Sequence, residues 1–210
     1  MILTLLHTSE AHRATFDALK ADIAPEARLN HIVRPDWLAR AQGGIDARLQ
    51  AEIAEAVDSA PGAVLCTCTT LGPVAGDLGA IRVDAPMMQE AARIAAQAGG
   101  DIVMAYCLDS TLEPSAALLD AALEAQRHKA KVHALSLAEF WPLFEAGQVG
   151  PFHAVVAAAI RENIESVPDA ACIVLAQASM AGAAPLLNGL VTPVLASPEL
   201  ALRVALGLAN

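Results

Sequence analysis

The chain has 210 residues, which suits one large domain or two small lobes. Hydrophobic residues make up 55% and aromatic residues only 3%, so the core is expected to be aliphatic and rich in alanine. The net charge is −10 and the 13 lysines and arginines form no cluster, which argues against nucleic acid as a partner because phosphate contacts need a basic face.

The first residues predict a strand and not a signal peptide. Met1–Leu6 is apolar, with no basic segment before it and no cleavage pattern. The longest apolar runs, such as Ala154–Ile160, are far shorter than the roughly 20 residues that a membrane span needs. We therefore expect a cytoplasmic protein with no membrane partner.

Short apolar runs then alternate with longer alanine-rich stretches of helical period. The runs lack strict alternation of polar and apolar residues, as strands buried on both faces do. Strand–helix alternation of this kind predicts parallel sheets covered by helices. The expected strands are Ile2–Leu6, Arg28–Val33, Ala63–Thr67, Ile81–Val83, Ile102–Tyr106, Lys131–Leu135, Cys172–Ala176 and Pro193–Ala196.

The helical stretches carry apolar stripes and end signals. Ile45, Leu49, Ile53 and Val57 recur on one face, which predicts an amphipathic helix. The basic end of another stretch, Arg127–Lys129, suits the negative end of a helix dipole. The expected helices are Ile45–Val57, Leu71–Leu78, Pro86–Ala98, Glu113–Lys129, Glu139–Ala146, Phe152–Ser166, Ala181–Asn188 and Pro198–Leu208.

Polar residues cluster where the expected strands end. In open parallel sheets, ligands bind beyond the carboxyl ends of the strands, so these residues are the candidates for a site. They are His7 and Thr8, Arg34 and Asp36, Cys68–Thr70, Asp84, Cys107–Thr111, Gln177–Ser179 and Ser197.

The sequence lacks the motifs of several common enzyme classes. The sequence has no G-x-G-x-x-G, no P-loop and no G-x-S-x-G, so dinucleotide, phosphate-loop and serine-hydrolase readings lack support. The lysines, Lys20, Lys129 and Lys131, fall on helices or at a strand start, which argues against a Schiff-base enzyme. We expect no cofactor.

Four cysteines do not make a disulfide framework in a chain this long. Cys66 and Cys68 form a C-x-C pair without a second clustered pair, so no metal site is expected. Cys66, Cys107 and Cys172 are interpreted as buried structural thiols. Cys68 is the candidate reactive thiol, with a pKa lowered by the start of the helix that follows it. His7 is either its proton partner or a histidine hydrogen-bonded for structure.

Four segments, taken in order, resemble the aspartate/glutamate/hydantoin racemase superfamily. Cys68-Thr69-Thr70 resembles the first Cys-Asn/Ser/Thr-Thr/Ser motif of that family. The segment at the second Leu-Gly-Cys-Thr/Ala motif reads Leu175-Ala176-Gln177-Ala178 in this chain. The other two segments are Val83-Asp84-Ala85-Pro86-Met87-Met88-Gln89-Glu90-Ala91 and Val103-Met104-Ala105-Tyr106-Cys107-Leu108-Asp109-Ser110-Thr111.

The resemblance implies an α/β fold of two Rossmann-like lobes with parallel sheets, related by a pseudo-twofold axis, with the active site in the interlobe cleft. We expect residues 1–90 and 190–210 in one lobe and 91–189 in the other. The resemblance also implies cofactor-independent chemistry on a small carboxylate, and a homodimer or higher homo-oligomer.

Family members use two cysteines, one on each face of the substrate carbon, and the resemblance carries only the first to this chain, as Cys68. Gln177 stands at the second position, where an amide is neither acid nor base near neutral pH. Alignment of the two repeats by their Val-Leu pairs would instead match Gln177 with Thr67. The expected catalytic residues are Cys68, Gln177 and His7, and the expected substrate-binding residues are Thr8, Thr69, Thr70, Ser110, Thr111, Ala178 and Ser179.

The sequence therefore predicts an enzyme of the isomerase class, similar to amino-acid racemases, that acts by proton transfer or thiol addition on an amino acid, hydantoin or related acid. The alternatives are a single-cysteine decarboxylase, a cis–trans isomerase, and an inactive protein that binds a small acid.

Overall fold

The computed structural model describes residues 2–208, which form two compact units. The first unit comprises the described residues of Met1–Pro86 and Pro198–Asn210, and the second comprises Met87–Ser197. Each unit contains one four-stranded sheet, parallel throughout.

The sheet of the first unit has the strand order β2-β1-β3-β4. Leu6 pairs with Cys66 and His7 pairs with Val33, so the residues that follow β1 and β3 lie at the same edge of the sheet. The elements are β1 (Ile2–His7), α1 (Ala11–Ile23), β2 (Arg28–Val33), α2 (Pro35–Ala41), α3 (Ala47–Asp58), β3 (Ala63–Cys66), α4 (Gly72–Asp77), β4 (Ile81–Arg82), the start of α5 (Ala85–Ala98), and α9 (Ser197–Ala205).

Alternate side chains of β1 lie on opposite faces of this sheet. His7 lies on the same face as Leu5 and packs its ring against Phe16 of α1, with 5.7 Å between ring centroids. Leu6, on the opposite face, belongs to a buried cluster with Trp37 of α2. Both faces of the sheet are therefore covered, and each large apolar side chain buried there contributes about 1.5–3 kcal/mol.

The amphipathic stripe that predicted α3 is present. Leu49 and Ile53 are buried in the same cluster as Trp37, and Ile45 and Val57 pack at its edge. The helix begins two residues later than expected because Asp46 is its N-cap, and the Asp46 side chain accepts a hydrogen bond of 2.7 Å from the Leu49 N–H.

The second unit repeats the strand arrangement of the first, in the order β6-β5-β7-β8. Ala105 pairs with Leu175, so Cys107 and Gln177 follow neighbouring strands at one edge. The elements are β5 (Asp101–Tyr106), α6 (Asp109–Ala125), β6 (Val132–Ser136), a 3₁₀ turn (Ala138–Phe140), α7 (Trp141–Glu145), α8 (Val149–Ile164), β7 (Ala170–Leu175), two further 3₁₀ segments (Ala178–Ala183 and Pro185–Leu187), and β8 (Val194–Ala196).

One face of α8 supplies much of the second core. Phe152, Val156 and Ile160 recur every four residues and are fully buried. Phe152 also packs against Phe144 of α7, with ring centroids 5.4 Å apart.

The expected α/β architecture is confirmed, whereas two helix predictions were wrong. The segment predicted as a helix over Ala181–Asn188 forms 3₁₀ segments, interrupted at Pro185, which has no N–H to donate. The helix predicted over Glu113–Lys129 runs instead from Asp109 to Ala125, so its basic end lies beyond the last helical turn.

Within residues 2–208, no helix combines the length and the apolar character required to cross a bilayer.

Candidate active site

Cys68 lies between the end of β3 and the start of α4, and its side chain is buried, with 6% of the residue exposed. Four hydrogen-bond donors lie within reach of its sulfur. They are the hydroxyl groups of Thr8 and Thr70 and the backbone N–H groups of Thr70 and Leu71. A sulfur surrounded in this way can carry a negative charge without contact with water.

Burial nevertheless raises the pKa of the Cys68 thiol, and the four donors oppose that effect without reversing it. The lowered pKa expected from the sequence is therefore wrong in direction. The helix that follows Cys68 has only six residues, and desolvation of the thiolate outweighs it. At neutral pH the group is a protonated thiol that has a prepared environment for its anion.

The other three cysteines are also buried. The Cys66 thiol donates to the Cys68 carbonyl over 3.5 Å, and the Cys172 thiol donates to the Ala91 carbonyl over 3.9 Å. Burial raises the pKa of Cys66, and raises the pKa values of Cys107 and Cys172 to about 12. Several hydrogen-bond donors stabilise the thiolate of Cys68, and within residues 2–208 the other three cysteines lack such a group of donors. This difference distinguishes Cys68 from the structural thiols.

His7 lies at the same edge of the sheet, but both its ring nitrogens have partners. Nδ1 lies 2.8 Å from the Thr67 hydroxyl, and Nε2 lies 2.8 Å from Nδ1 of His31. Burial and the neighbouring His12 and His31 lower the pKa of His7 to about 3, so the ring is neutral. In this arrangement neither nitrogen is directed at Cys68.

A buried ion pair fixes the helix that follows Cys68. Arg82 donates to both carboxylate oxygens of the fully buried Asp84, over 3.0 and 2.7 Å. The guanidinium lies against α4 so closely that a Cβ at Gly72 would come within 2.9 Å of Arg82 Nε. The sequence marked Asp84 as a strand-end residue but did not indicate its ion pair with Arg82.

Gln177, at the end of β7 in the second unit, is oriented by the backbone. Its side-chain oxygen accepts hydrogen bonds from the N–H groups of Cys107 and Leu108, over 2.6 and 3.1 Å. Because N–H groups donate, this pair assigns the oxygen and the nitrogen of the amide without ambiguity. The NH₂ group is consequently turned away from these donors.

Ser179 lies two residues further along and is also buried. Its hydroxyl group has no hydrogen-bond partner, which is uncommon for a group with 6% of the residue exposed. Its carbonyl oxygen accepts a 2.9 Å hydrogen bond from Nε2 of His153 on α8. The His153 ring packs on Gly182, where a Cβ would overlap it. His153 and Gly182 were not among the residues that the sequence indicated.

The predicted site residues thus gather in two sets, one in each unit. In the first unit, Thr8, Thr69 and Thr70 are buried beside Cys68. In the second, Thr111 and Ala178 are buried and Ser110 is half-buried, at the strand ends that carry Gln177. Among residues 2–208, no three histidine, cysteine, aspartate or glutamate side chains are grouped so as to hold a metal ion.

Comparison with known proteins finds similarity in structure and not in sequence. No family model matches the chain, and no curated protein sequence matches it significantly. Thirty solved chains have a similar fold.

Three of these structures cover nearly the whole chain. Glutamate racemase from Francisella tularensis subsp. tularensis SCHU S4, in complex with D-glutamate, has a TM-score of 0.67 and 12% identity over 98% of this chain and 79% of the racemase. Allantoin racemase from Klebsiella pneumoniae has a TM-score of 0.63 and 19% identity over 100% and 89%. Arylmalonate decarboxylase has a TM-score of 0.59 and 15% identity over 100% and 93%.

These similarities agree with the resemblance first detected in the sequence motifs. The chain has the two-lobe α/β fold of the aspartate/glutamate/hydantoin racemase superfamily.

Proposed function

We propose that this protein is a cofactor-independent enzyme of the isomerase class that transfers a proton to or from the carbon next to a carboxylate or ring carbonyl of a small acid. Cys68 is its reactive thiol. The substrate class is that of the racemases with a similar fold, namely amino acids such as glutamate and ring ureides such as allantoin.

The observation that carries the proposal is the convergence of four donors on one buried sulfur. Because the resting group is a thiol, it holds the proton that the reaction needs. The proton of the substrate carbon first passes to solvent on one face and its electron pair remains as an enediolate. The Cys68 proton then moves to the carbon from the other face, and the new thiolate receives hydrogen bonds from Thr8, Thr70 and the Leu71 N–H until it recovers a proton from solvent. Stabilisation of a charge that forms during the reaction lowers the barrier more than equal stabilisation of both states.

The oriented amide of Gln177 supports a binding role and not a proton-transfer role. An amide does not titrate near neutral pH, and its oxygen is already engaged by two N–H groups. Its NH₂ group remains as a donor, and the Ser179 hydroxyl remains without a partner. We assign both to oxygen atoms of a small acid, together with Ser110, Thr111 and the Ala178 backbone of the same unit.

A second candidate, decarboxylation, is favoured by the protonated state of Cys68. In that reaction the bond from carbon to one carboxylate breaks, carbon dioxide leaves, and the electron pair remains as an enediolate. The Cys68 proton then moves to the carbon, and the thiolate recovers a proton from solvent. Such a reaction needs one acid on one face, which is what a single thiol supplies. Arylmalonate decarboxylase shares the fold.

The test is a set of incubations in heavy water with glutamate, aspartate, allantoin, a hydantoin and an arylmalonate, followed by proton NMR and chiral chromatography. Racemisation or exchange at the α-carbon supports the isomerase. Loss of carbon dioxide with deuterium on one face supports the decarboxylase.

The matched variants are Cys68→Ser and Cys107→Ser, since both positions are buried cysteines at strand ends. We expect the first to lose at least a hundredfold in rate, the usual contribution of a positioned acid, and the second to keep its rate. Equal activity of both would contradict the assignment. Binding of these acids without turnover would indicate an inactive binding protein, and rotation about a substrate double bond would indicate a thiol-addition isomerase. Homo-oligomer formation and a cytoplasmic location remain predictions.

A further inference from the structure

A continuous chain of hydrogen-bonding groups connects the buried end of β1 with the surface of the first unit. It starts at the Thr67 hydroxyl, passes through both nitrogens of His7, and continues through both nitrogens of His31. It ends at Asp17 of α1, whose carboxylate lies 3.2 Å from His31 Nε2. His31 has a side chain 9% exposed and Asp17 has one 56% exposed, so the outer end reaches solvent.

We propose that His31 and Asp17 are positioning residues that, with His7 and Thr67, form a reversible proton relay. The relay accepts a proton at the inner end, beside Cys68, and holds the resulting charge at the outer end. His7 itself stays neutral and changes tautomer.

The donors and acceptors of the uncharged relay can be counted. If the Thr67 hydroxyl donates to His7 Nδ1, then His7 Nε2–H donates to His31 Nδ1, and His31 Nε2–H donates to the Asp17 carboxylate. Every group then has a partner while both rings are neutral. The opposite tautomers would turn a bare nitrogen of His31 towards a carboxylate, which is repulsive.

One added proton reverses the two inner hydrogen bonds, Thr67–His7 and His7–His31, and leaves the direction of the His31–Asp17 bond unchanged. The Thr67 hydroxyl takes up a proton released at this edge of the sheet as it passes its own proton to His7 Nδ1, and His7 passes its Nε2 proton to His31 Nδ1. Each O–H or N–H bond that breaks is thus replaced by one that forms. His31 then carries two N–H groups and the charge, beside Asp17. The Thr67 hydroxyl turns to the Leu6 carbonyl, which lies 3.0 Å away, so Thr67 has a partner in both states.

The surroundings disfavour a charge at His7 itself. The ring is 1% exposed and packs against Phe16 and His12 of α1, while Arg13 of the same helix adds a positive charge nearby. The Asp17 carboxylate faces the outer end, at His31 Nε2. A proton gained by this chain therefore remains at His31.

The two inner residues of the relay, Thr67 and His7, are each followed in the chain by a residue of the Cys68 site. Thr67 precedes Cys68, and His7 precedes Thr8, whose hydroxyl is a donor to the Cys68 sulfur. The Thr67 hydroxyl can therefore take up a proton at the edge of the sheet that carries Cys68, while the Cys68 thiol remains buried. Its existence does not depend on which reaction Cys68 performs.

The experiment is nitrogen NMR of the histidine side chains in the full-length protein from pH 5 to pH 9, with assignment by single His→Gln variants. We expect His7 to carry its proton on Nε2 at the alkaline end and on Nδ1 at the acidic end, and to remain neutral throughout. Protonation of both His7 nitrogens within this range, or one unchanged tautomer, would overturn the proposal.

Asp17→Asn tests the outer end, and Asp101→Asn is the matched control. Asp101 forms a 2.7 Å hydrogen bond with His133 on β6, in the second unit and outside the proposed relay. In Asp17→Asn, the Nε2–H form of His7 should no longer dominate at alkaline pH, whereas Asp101→Asn should leave His7 unchanged. An identical His7 tautomer in the wild type and in Asp17→Asn would contradict the relay. The NMR signal requires no turnover, so this result stands even if the proposed enzyme activity is absent.

Discussion

At the scale of single residues, Cys68 shows two opposing effects on one sulfur. Burial disfavours the thiolate, and four donors favour it. A surface thiol would ionise without help and would react with any electrophile. A buried thiol without donors, as at Cys172, remains inert because burial raises its pKa to about 12. At Cys68 burial and the donors act on the same sulfur, so removal of one donor should change its acidity.

The donor role of Thr8 can be tested by Thr8→Val, which replaces the hydroxyl with a methyl group of similar size. Loss of one hydrogen bond to the thiolate should raise the pKa of Cys68 further. Since one pKa unit corresponds to 1.36 kcal/mol, about the value of one such bond, alkylation of Cys68 at fixed pH should slow about tenfold. Peptide mass spectrometry after timed alkylation measures this. Thr15→Val is the control, because the Thr15 hydroxyl donates to the Ala11 carbonyl within α1. An equal rate in Thr8→Val and the wild type would exclude the hydrogen bond.

The orientation of Gln177 leads to a second prediction. Gln177→Glu keeps an oxygen for the Cys107 and Leu108 N–H groups, so thermal stability should stay within about 1 kcal/mol of the wild type. The variant replaces the NH₂ donor with a negative oxygen, which repels a carboxylate. Affinity for the acid substrate should fall by about tenfold or more, as measured by isothermal calorimetry. Unchanged affinity would remove Gln177 from the substrate site.

At the scale of secondary structure, the strands were the predictable part. Arg28–Val33 has the predicted bounds, and the others differ by one or two residues, because strands buried on both faces form distinct apolar runs. The sequence did not predict α1 or α2. Residues 11–23 mix polar and apolar side chains, and only His12 and Phe16 of that helix are buried. The helix forms because it covers the sheet, which is a tertiary effect.

The strand-end positions of the candidate site residues were predictable, whereas the contacts of their side chains were not. The end of an apolar run locates Cys68 and Gln177, since ligands of parallel sheets lie there. The partners that orient those side chains come from distant parts of the chain. His31 lies 24 residues from His7, and Cys107 lies 70 residues from Gln177. No local pattern encodes such pairs.

The packing of α8 on the turn after β7 can be tested at Gly182. In Gly182→Ala the new methyl group would overlap the His153 ring, which must move and lose its bond to the Ser179 carbonyl. Overpacking of this kind costs about 1–3 kcal/mol in free energy of unfolding. Gly150→Ala is the control, because a Cβ at this α8 position meets nothing within 4 Å, and it should be neutral or stabilising.

A second variant separates this overlap from a general effect of alanine. Combined with His153→Ala, Gly182→Ala should cost less than it does alone, and urea denaturation of the four proteins gives the coupling. Additive effects would show that the two residues do not meet.

At the scale of the whole molecule, the two units share one strand order, and all strand pairs in both sheets are parallel. The chemistry is not repeated with the topology. The first unit has a thiol after its third strand, and the second has an amide after the corresponding strand β7. One fold therefore presents a group that can transfer a proton in one unit and a group that forms hydrogen bonds but does not titrate near neutral pH in the other.

The first unit also buries two histidines, and this sets the response of the molecule to acid. The pKa of His7 is lowered to about 3, and burial lowers the pKa of His12 to about 4. In the unfolded chain both titrate near pH 6.5. Between these values the unfolded chain binds more protons than the folded one. The stability that both groups contribute is therefore fully present above pH 6.5 and is lost as the pH falls towards 4.

Acidification from pH 7 to pH 5 should lower the free energy of unfolding by about 2 kcal/mol for each of these histidines. Urea denaturation at the two pH values measures this loss. His12→Gln removes one of the two titrating groups and should recover about half of the loss. His128→Gln is the control, because His128 lies after α6 in the second unit and outside this buried group. If His12→Gln and the wild type lose the same stability on acidification, His12 is not held neutral in the folded protein.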